Sequence, residues 1–374
     1  MRTIGVEEEL ILVDLTSGRP RSVAAQVLHL AEDREARERG GSGDGAGGSL
    51  GHELHQQQVE TDTPPERDLA RLEAALREWR DRARVAAQEA GSRVIASATS
   101  PFPMEPQLVP DERFEKMAEH FGLTVDEQLS CGCHVHVSVD SDEEAIGVLD
   151  RIRVWMPTLL ALSANSPFWQ GQDSGYASFR SQVLPRWPSH GPTELFGSAR
   201  AYREHVEAMV GTGVLLDEGM VYSDARPSHH LPTLEIRAAD VCLDVRDTVL
   251  IAALSRGLVE TAARAWSAGE PADPTPVSML RLASWQAGRH GLTGDLVDPR
   301  TGKPAAARAV VEELVEHVRP ALRDAGDLAA VELGVDRTFA RGNGAVRQRE
   351  VLERTGQLGD VVAALARVTA GQEE

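Results

Sequence analysis

The sequence contains few of the residues that would place it in a secreted, membrane-bound or disulfide-rich class. Three cysteines in 374 residues are too few for a disulfide framework and suit a reducing compartment. No apolar run approaches the roughly 20 residues of a membrane-spanning helix. The N-terminus, MRTIGVEEEL, carries carboxylates where a signal peptide needs an apolar stretch. These absences predict a cytoplasmic protein that does not act in a membrane.

The sequence also lacks a net positive charge and the common phosphate-binding loops. The formal net charge of -19 argues against broad attraction to nucleic acid or anionic membranes. There is no GxxxxGK[ST] and no GxGxxG followed by a helix. What is present is a globular composition, 41% hydrophobic and 26% charged. The chain shows no internal repeat and no linker that would separate two domains. We therefore predict one α+β domain over residues 1–374, with a glycine-rich loop at 40–51 and a mostly helical part at 245–374.

Hydrophobic spacing gives a coarse order of helices and strands along the chain. Besides the strand discussed next, the predicted strands are 3–13, 52–60, 93–99 and 231–240, and the predicted helices are 22–39, 63–91, 111–121 and 146–165. The segment 166–192 is long for a loop and rich in aromatic residues and proline. Long loops in compact domains are usually functional or disordered, and the aromatic residues favour an ordered segment that could cover a site.

The stretch CGCHVHVSVD, residues 131–140, reads as a strand in which alternate side chains share a face. Cys131, Cys133 and three valines form an apolar face, whereas His134, His136 and Ser138 lie on a polar one. A Cys2His2 zinc site would need all four ligands to converge. Alternation separates them, so the cysteines are interpreted as core residues. A polar face open to water remains the simplest alternative for the histidines.

Two further strands repeat the pattern of paired polar groups. Glu7 and Glu9 share a face in GVEEEL and would repel each other unless a cation lies between them; an exposed acidic edge strand is the alternative. Glu8 points to the other face, where it needs a partner. Glu235 and Arg237 share a face in TLEIRAAD, with Leu234, Ile236 and Ala238 opposite. They fit a metal ligand beside an anion-binding group, or only a surface ion pair.

Glu53 and Glu60 add two more carboxylates in HELHQQQVETDTP. Their spacing gives them opposite strand parity, so both reach one site only if a bend or bulge intervenes. The strands together predict one sheet whose polar face holds several carboxylates and a histidine. Such a set exceeds the ligands of one Mg²⁺. Two or three ions bridged by phosphate oxygens would use it, an arrangement that supports phosphoryl transfer.

Five motifs, in order, resemble those of a known family. They are GVEEEL, QQQVETDTP, CGCHVHVSVD, ALSANSPFWQGQDSGYASFR and PTLEIRAADVC. This set resembles the YbdK-like carboxylate–amine ligases, also called type 2 glutamate–cysteine ligases, over nearly the whole chain. The resemblance implies a glutamine synthetase-like catalytic fold, in which helices pack on one side of a curved, mainly antiparallel sheet. It also implies ATP and Mg²⁺ (or Mn²⁺) on the concave face.

The resemblance further implies roles for the polar residues. Arg180 and Arg237 would contact phosphate or a substrate carboxylate, and His136, Ser138 and Arg180 would lie at the nucleotide. The implied metal ligands are Glu7, Glu9, Glu53, Glu60, His134 and Glu235. The implied reaction joins a carboxylate such as L-glutamate to an amine such as L-cysteine through an acyl phosphate. A zinc metallohydrolase and an inactive nucleotide-binding homologue are the alternatives, and a homodimer formed through the C-terminal helices stays an open option.

Overall fold

The computed structural model describes residues 1–39 and 48–372. Its strands are β1 (Ile4–Asp14), β2 (Ser49–His52), β3 (Gln58–Asp62), β4 (Ser92–Ile95), β5 (Gly132–Ser138), β6 (Phe168–Trp169), β7 (Gln172–Asp173), β8 (Ala225–Pro227), β9 (Thr233–Asp240), β10 (Asp295–Val297) and β11 (Pro304–Ala306). Of the predicted glycine-rich loop, residues 40–47 lie outside the described ranges, and Ser49 already begins β2.

The helices alternate with strands in the first half and dominate the second. They are α1 (Ala24–Arg39), α2 (Leu69–Glu89), α3 (Glu112–Phe121), α4 (Leu123–Asp126), α5 (Asp142–Ile152), α6 (Met156–Ser163), α7 (Arg180–Val183), α8 (Ala199–Gly211), α9 (Val245–Ser267), α10 (Val277–His290), α11 (Ala307–Ala325), α12 (Leu328–Arg341), α13 (Gly344–Thr355) and α14 (Leu358–Thr369). Short 3₁₀ turns lie at Arg153–Trp155, Leu184–Arg186 and Glu218–Met220. Among the described helices, none combines the length and the apolarity needed to cross a bilayer.

An open antiparallel sheet organises the molecule. Its strand order is β2-β3-β1-β5-β9-β8, and β4 pairs with the second half of β1. The predicted strands at 3–13, 131–140 and 231–240 therefore lie side by side at its centre. This arrangement confirms the α+β class and the predicted single sheet.

Helices cover one face of the sheet, as expected. The side chains of Val6, Val135, Val137, Leu234 and Ile236 are each no more than 1% exposed and belong to one core cluster. Side chains from α2, α5, α6 and α9 complete that cluster. Burial of this apolar surface holds the strands in register, because a slip of one residue would turn every side chain to the other face. The opposite, polar face is left for the site.

Several predicted boundaries were wrong, among them the end of the strand predicted at 93–99, which stops at Ile95. The helix predicted at 63–91 begins only at Leu69, because Glu66 exchanges backbone hydrogen bonds with Ile4 of β1. The strand predicted at 52–60 is interrupted between β2 and β3. The helix predicted at 146–165 is divided into α5 and α6 by a 3₁₀ turn next to Pro157, which has no N–H to continue the first helix.

A bulge in β9 also corrects the predicted alternation. The register between β9 and β5 shifts between Cys133 and Val135. Two residues of β9, Arg237 and Ala238, therefore lie opposite the single residue His134 of β5. Ala238 is only partly buried, and Ala239 takes the core position with 0% exposure. The prediction that Ala238 shares the core face with Ile236 was therefore wrong. The bulge returns Asp240 to the polar side of the strand.

Glu8 has the partner that its position requires. Its carboxylate is fully buried and receives two hydrogen bonds from Arg80 of α2, at 2.6 and 2.7 Å. Thr248 of α9 donates a third, at 2.7 Å. Arg80 also donates to the backbone carbonyls of Cys242 and Leu243. This network neutralises the acid and ties β1 to two helices.

Candidate active site

The polar face of the sheet forms the floor of a cavity of about 470 Å³. Every predicted site residue except Ser138 lines it, namely Glu7, Glu9, Glu53, Glu60, His134, His136, Arg180, Glu235 and Arg237. The strand register explains this convergence. It pairs Glu9 with Glu60, Glu7 with His134, and His136 with Glu235 across four neighbouring strands.

Glu53 and Glu60 meet through a turn. Glu53 follows the last residue of β2, and the chain turns before β3 begins at Gln58. Because β2 and β3 pair as an antiparallel hairpin with Gly51 opposite Glu60, the turn returns the chain past Glu53. The bend that the opposite parity required is therefore present.

The carboxylates and histidines form three overlapping groups in which the ligand atoms lie within 4.8 Å of one another. The groups are Glu9–Glu53–Glu60, Glu7–Glu60–His134 and Glu7–His136–Glu235. They contain all six predicted metal ligands. They also include His136, which the resemblance assigned to the nucleotide.

Electrostatics at the first group favours a cation. Burial and the nearby charge of Glu9 raise the pKa of Glu53 to about 7. Burial, together with the charges of Glu53, Glu7 and Glu9, raises the pKa of Glu60 well above its ordinary value. Loss of the proton from these carboxyls is opposed, because the nearby positive charge does not compensate them sufficiently. A divalent cation would displace the protons and satisfy the oxygens, so the donor set fits a hard metal ion.

At the other side of the site, histidines and arginines already compensate the acids. His134 Nδ1 lies 3.2 Å from Glu7 Oε2, and His136 Nε2 lies 3.0 Å from Glu7 Oε1. Burial would raise the pKa of Glu7, but both histidines lower it below its usual range. Burial opposes ionisation of Glu235 too, yet Arg237 and Arg226 lower its pKa to about 2. Both acids are thus ready ionic ligands.

His134 has a ring nitrogen that could bind a metal ion. Its Nε2 is buried and forms no hydrogen bond within the described residues, and the nearest carboxylate oxygen, Glu9 Oε1, is 3.8 Å away. Its other ring nitrogen lies near Glu7 and Glu235. An orphaned imidazole nitrogen among carboxylates is the chemistry expected of a metal site.

The guanidinium of Arg180 lies over the first residue of β5. Gly132 is opposite Asp240 in the sheet, and its N–H donates to Glu9 Oε2 at 2.6 Å. A Cβ at Gly132 would lie 2.6 Å from Arg180 Nη2 and 2.8 Å from His134 Nε2. The absence of a side chain at this position is therefore what allows Arg180 and His134 to approach the same strand.

Asp240 holds Arg180 in place and was missed by the sequence reasoning. Its fully buried carboxylate accepts hydrogen bonds from Ser166 Oγ at 2.8 Å, Ser178 Oγ at 2.9 Å and the Asn165 N–H at 2.9 Å. Its Oδ1 lies 3.7 Å from Arg180 Nη1. The strand alternation could have included Asp240 only if the bulge at Ala238 had been visible in the sequence.

Arg226 is a second residue without a local sequence signal. Its Nε donates to Glu235 Oε2 at 2.8 Å, and its Nη1 donates to the carbonyls of Gly219 and Val221. Arg237 contacts the other oxygen of Glu235. Two guanidinium groups therefore flank this carboxylate at the cavity wall, where they could meet an anionic ligand.

The remaining predictions concern the other residues of the stretch 131–140. Cys131 and Cys133 are fully buried free thiols, and none of the candidate metal groups within the described residues contains a cysteine. The Cys2His2 alternative is thereby removed. Ser138 lies at the far end of β5, where its hydroxyl accepts a hydrogen bond from the Thr3 N–H at 3.0 Å. The structure does not bring Ser138 to the cavity.

The chain is similar to known proteins along almost its whole length. The family model described as "Glutamate-cysteine ligase family 2" matches residues 3–364. A Streptomyces avermitilis protein named "Putative glutamate--cysteine ligase 2-1" is 52% identical over 375 residues, covering 99% of this chain and 100% of that protein. A second Streptomyces relative, from S. coelicolor and named "Putative glutamate--cysteine ligase 2", is 52% identical over 99% of both chains.

The fold is shared with a solved enzyme at much lower identity. The structure of a glutamate–cysteine ligase from Francisella tularensis in complex with AMP has a TM-score of 0.68 at 12% identity, covering 99% of this chain and 88% of that one. The glutamine synthetase-like fold that the sequence implied is thus confirmed. Taken with the match along almost the whole length, these findings show that the chain belongs to the glutamate-cysteine ligase family 2.

Proposed function

We propose that this protein is an ATP-dependent ligase that joins a carboxylate to an amine. The observation that carries the proposal is the set of three overlapping carboxylate and histidine groups, flanked by arginines, on the floor of one cavity. Such a set suits a polyphosphate that arrives with divalent cations better than it suits a single hydrolytic metal. Family membership supports the same reaction class.

Mg²⁺ or Mn²⁺ would be held by Glu7, Glu9, Glu53, Glu60, His134 and Glu235, with His136 as a further candidate ligand. When bound, the metal would neutralise phosphate charge in the transition state. The protein's own part is to fix the ligands. Glu9, for example, is held by the Gly132 N–H. Arg237 and Arg226, at the same wall, would bind phosphate oxygens.

The chemistry proceeds in two steps. An oxygen of the substrate carboxylate attacks the γ-phosphorus of ATP, the bond to the β-phosphate oxygen breaks, and ADP leaves. The amine nitrogen then attacks the carbonyl carbon of the acyl phosphate, and the carbon–oxygen bond to phosphate breaks. Arg180, fixed by Asp240, would stabilise the transferring phosphoryl group or the substrate carboxylate.

Water must be excluded, because it would hydrolyse the acyl phosphate. The segment 166–192 is our candidate for excluding water from the cavity, because it is ordered. It contains the β6–β7 hairpin and α7. It also contributes Arg180, Leu184, Trp187 and His190 to the cavity wall.

The substrate pair to test first is L-glutamate, through its γ-carboxylate, and L-cysteine, because the relatives carry the name of that activity. The compartment we propose is the cytoplasm, where the three buried free thiols would stay reduced.

The decisive experiment incubates purified protein with Mg²⁺, ATP, L-glutamate and a panel of amines, and measures ADP and amide. We expect ADP release that requires both carboxylate and amine. Glu7→Gln should lower turnover at least about 100-fold, as loss of a metal ligand does. Glu73→Gln, a partly exposed acid paired with Arg77 on α2, is the matched control and should retain full activity.

Other outcomes identify the alternatives. Stoichiometric zinc with no nucleotide binding would indicate a metallohydrolase. ATP binding without turnover for any amine would indicate an inactive homologue and would reject the ligase proposal. Full turnover by Glu7→Gln would reject the metal assignment.

A further inference from the structure

A second cavity, of about 330 Å³, adjoins the first. The two share a wall made of Arg180, Leu184, Trp187 and His190. The second cavity contains none of the candidate metal ligands. A molecule bound in it would therefore face the reaction centre across Arg180 without touching the metal-binding groups.

An unpaired carboxylate lies in the wall of this second cavity. Asp224 is only 9% exposed, yet within the described residues its side chain makes no hydrogen bond or ion pair. Its main chain is fixed, because its N–H donates to the Gly191 carbonyl at 3.0 Å and its carbonyl accepts from the Arg237 N–H at 2.8 Å. A buried, rigidly held carboxylate without a partner is costly unless a ligand satisfies it.

The rest of the cavity suggests what that ligand looks like. Met156, Leu160, Pro188 and Trp285 contribute apolar side chains to its lining. Arg281 of α10 is exposed and forms no ion pair or hydrogen bond in the part of the chain that the structure describes. The cavity thus offers a buried anion, an exposed cation and apolar side chains, which together are complementary to a zwitterion with an uncharged side chain.

We propose that the second cavity binds the amine substrate as an α-amino acid with an uncharged side chain, that Asp224 binds its ammonium group and accepts a proton from it, and that Arg281 binds its carboxylate. The proposal rests on the ligase function proposed above and names the substrate class of that reaction. It assigns each charged group of the cavity to one group of the substrate.

The proton balance is complete without any further reactant. The ammonium group gives one proton to the Asp224 carboxylate, and the free amine then attacks the acyl carbon. As the carbon–oxygen bond to phosphate breaks, the second proton lost from nitrogen goes to the leaving phosphate. Asp224 returns its proton to solvent. Burial raises the pKa of Asp224 to about 6, although Arg180 and Arg281 oppose the rise, and this value suits a general base near neutral pH.

The test separates acyl phosphate formation from amine attack. Hydroxylamine is a small amine that is neutral at pH 7, so it needs neither an ammonium site nor a base. Wild-type protein with ATP, Mg²⁺ and L-glutamate should form the hydroxamate. In Asp224→Asn, kcat/KM for the amino-acid amine should fall about 100-fold or more, and at least about tenfold more than the rate of hydroxamate formation. Asp295→Asn, the same change at an exposed position of β10, is the matched control and should change neither rate.

Arg281 is tested with a pair of amines. Arg281→Ala should raise KM for L-cysteine about tenfold and leave KM for cysteamine, which lacks the carboxylate, unchanged. Equal loss of hydroxamate and amide formation in Asp224→Asn would overturn the proposal, as would equal effects of Arg281→Ala on both amines. If wild-type protein forms neither hydroxamate nor amide, the ligase function itself fails, which is a different result.

Discussion

Gly132 is the position where a single added methyl group tests the geometry of the site. A Cβ there would lie 2.6 Å from Arg180 Nη2 and 2.8 Å from His134 Nε2, where ordinary contact begins at 3.4 Å. In Gly132→Ala the guanidinium must therefore retreat by about 0.8 Å. It cannot move freely, because Asp240 and the Ser166–Ser178 network hold it from behind.

The expected loss is catalytic more than structural. Misplacing a catalytic group by about 1 Å can lower the rate about 100-fold, whereas overpacking a well-ordered site costs about 1–3 kcal/mol of stability. Gly132 does not have a positive φ, so alanine introduces no backbone strain. We therefore expect Gly132→Ala to fold, with carboxylate-dependent ADP release reduced about 100-fold.

The assay compares turnover and thermal unfolding of Gly132→Ala with those of Gly51→Ala. Gly51 lies in the same sheet opposite Glu60, and a Cβ there meets nothing within 4 Å. The control should keep wild-type turnover, which excludes a general effect of alanine in the sheet. Wild-type turnover by Gly132→Ala would refute the argument that this glycine sets the position of Arg180. Loss of turnover only in step with loss of folded protein would refute it as well.

Three further predictions address the core, pH dependence and metal binding. Arg80→Met should lower the free energy of unfolding, measured with urea, by about 3–5 kcal/mol, because it leaves Glu8 buried without its partner. The control is Arg84→Met, which removes a surface ion pair on the same helix. It should lower the free energy of unfolding by less than about 1 kcal/mol. Burial alone would raise the pKa of Glu144. The hydrogen bonds from Arg2 and from the Asp140 N–H outweigh burial, so the pKa lies below its ordinary value. Its stabilisation is then present above the unfolded pKa of about 4.3 and is lost as pH falls through the lower folded pKa. The stability difference between wild type and Glu144→Gln should therefore be largest near neutral pH and shrink in acid, and an equal difference at all pH values would contradict the assignment. Glu60→Gln should weaken Mg²⁺ binding, measured by calorimetry, by at least about tenfold, while unchanged affinity would remove Glu60 from the ligand set.

The sequence predicts the central strands well because alternation and burial are local properties. In β1, in β5 and in β9 as far as Arg237, the polar and apolar faces follow directly from residue order, and the strand register then pairs Glu7 with His134 and His136 with Glu235. Glu53 is predicted only conditionally, because its place depends on the turn that precedes β3. Local pattern thus predicts which face a residue occupies, but not how a turn redirects the chain.

What the sequence does not predict depends on main-chain pairing between distant segments. Asp240 lies on the polar side of the sheet only because β9 bulges at Ala238, and the residues at that position do not predict a bulge. Arg226 and Asp224 reach the cavities because β8 pairs with β9 and the chain near Gly191 bonds to Asp224. Their neighbours in the sequence carry no periodicity that would mark them as functional. A contact between remote backbone segments has to be seen in the fold.

The three consecutive glutamates of β1 show how the fold divides similar residues between stability and chemistry. Glu8 turns inward and receives three hydrogen bonds from Arg80 and Thr248, so its charge is permanently compensated. On the other face, Glu9 belongs to a group in which Glu60 keeps a raised pKa, because burial and neighbouring acids outweigh the available positive charge. A fold could have supplied a second internal guanidinium there. Among the described residues no arginine forms an ion pair with Glu9, Glu53 or Glu60, so the ionised form of this group is poorly compensated, and that is the physical basis for expecting divalent cations and a polyphosphate at this site.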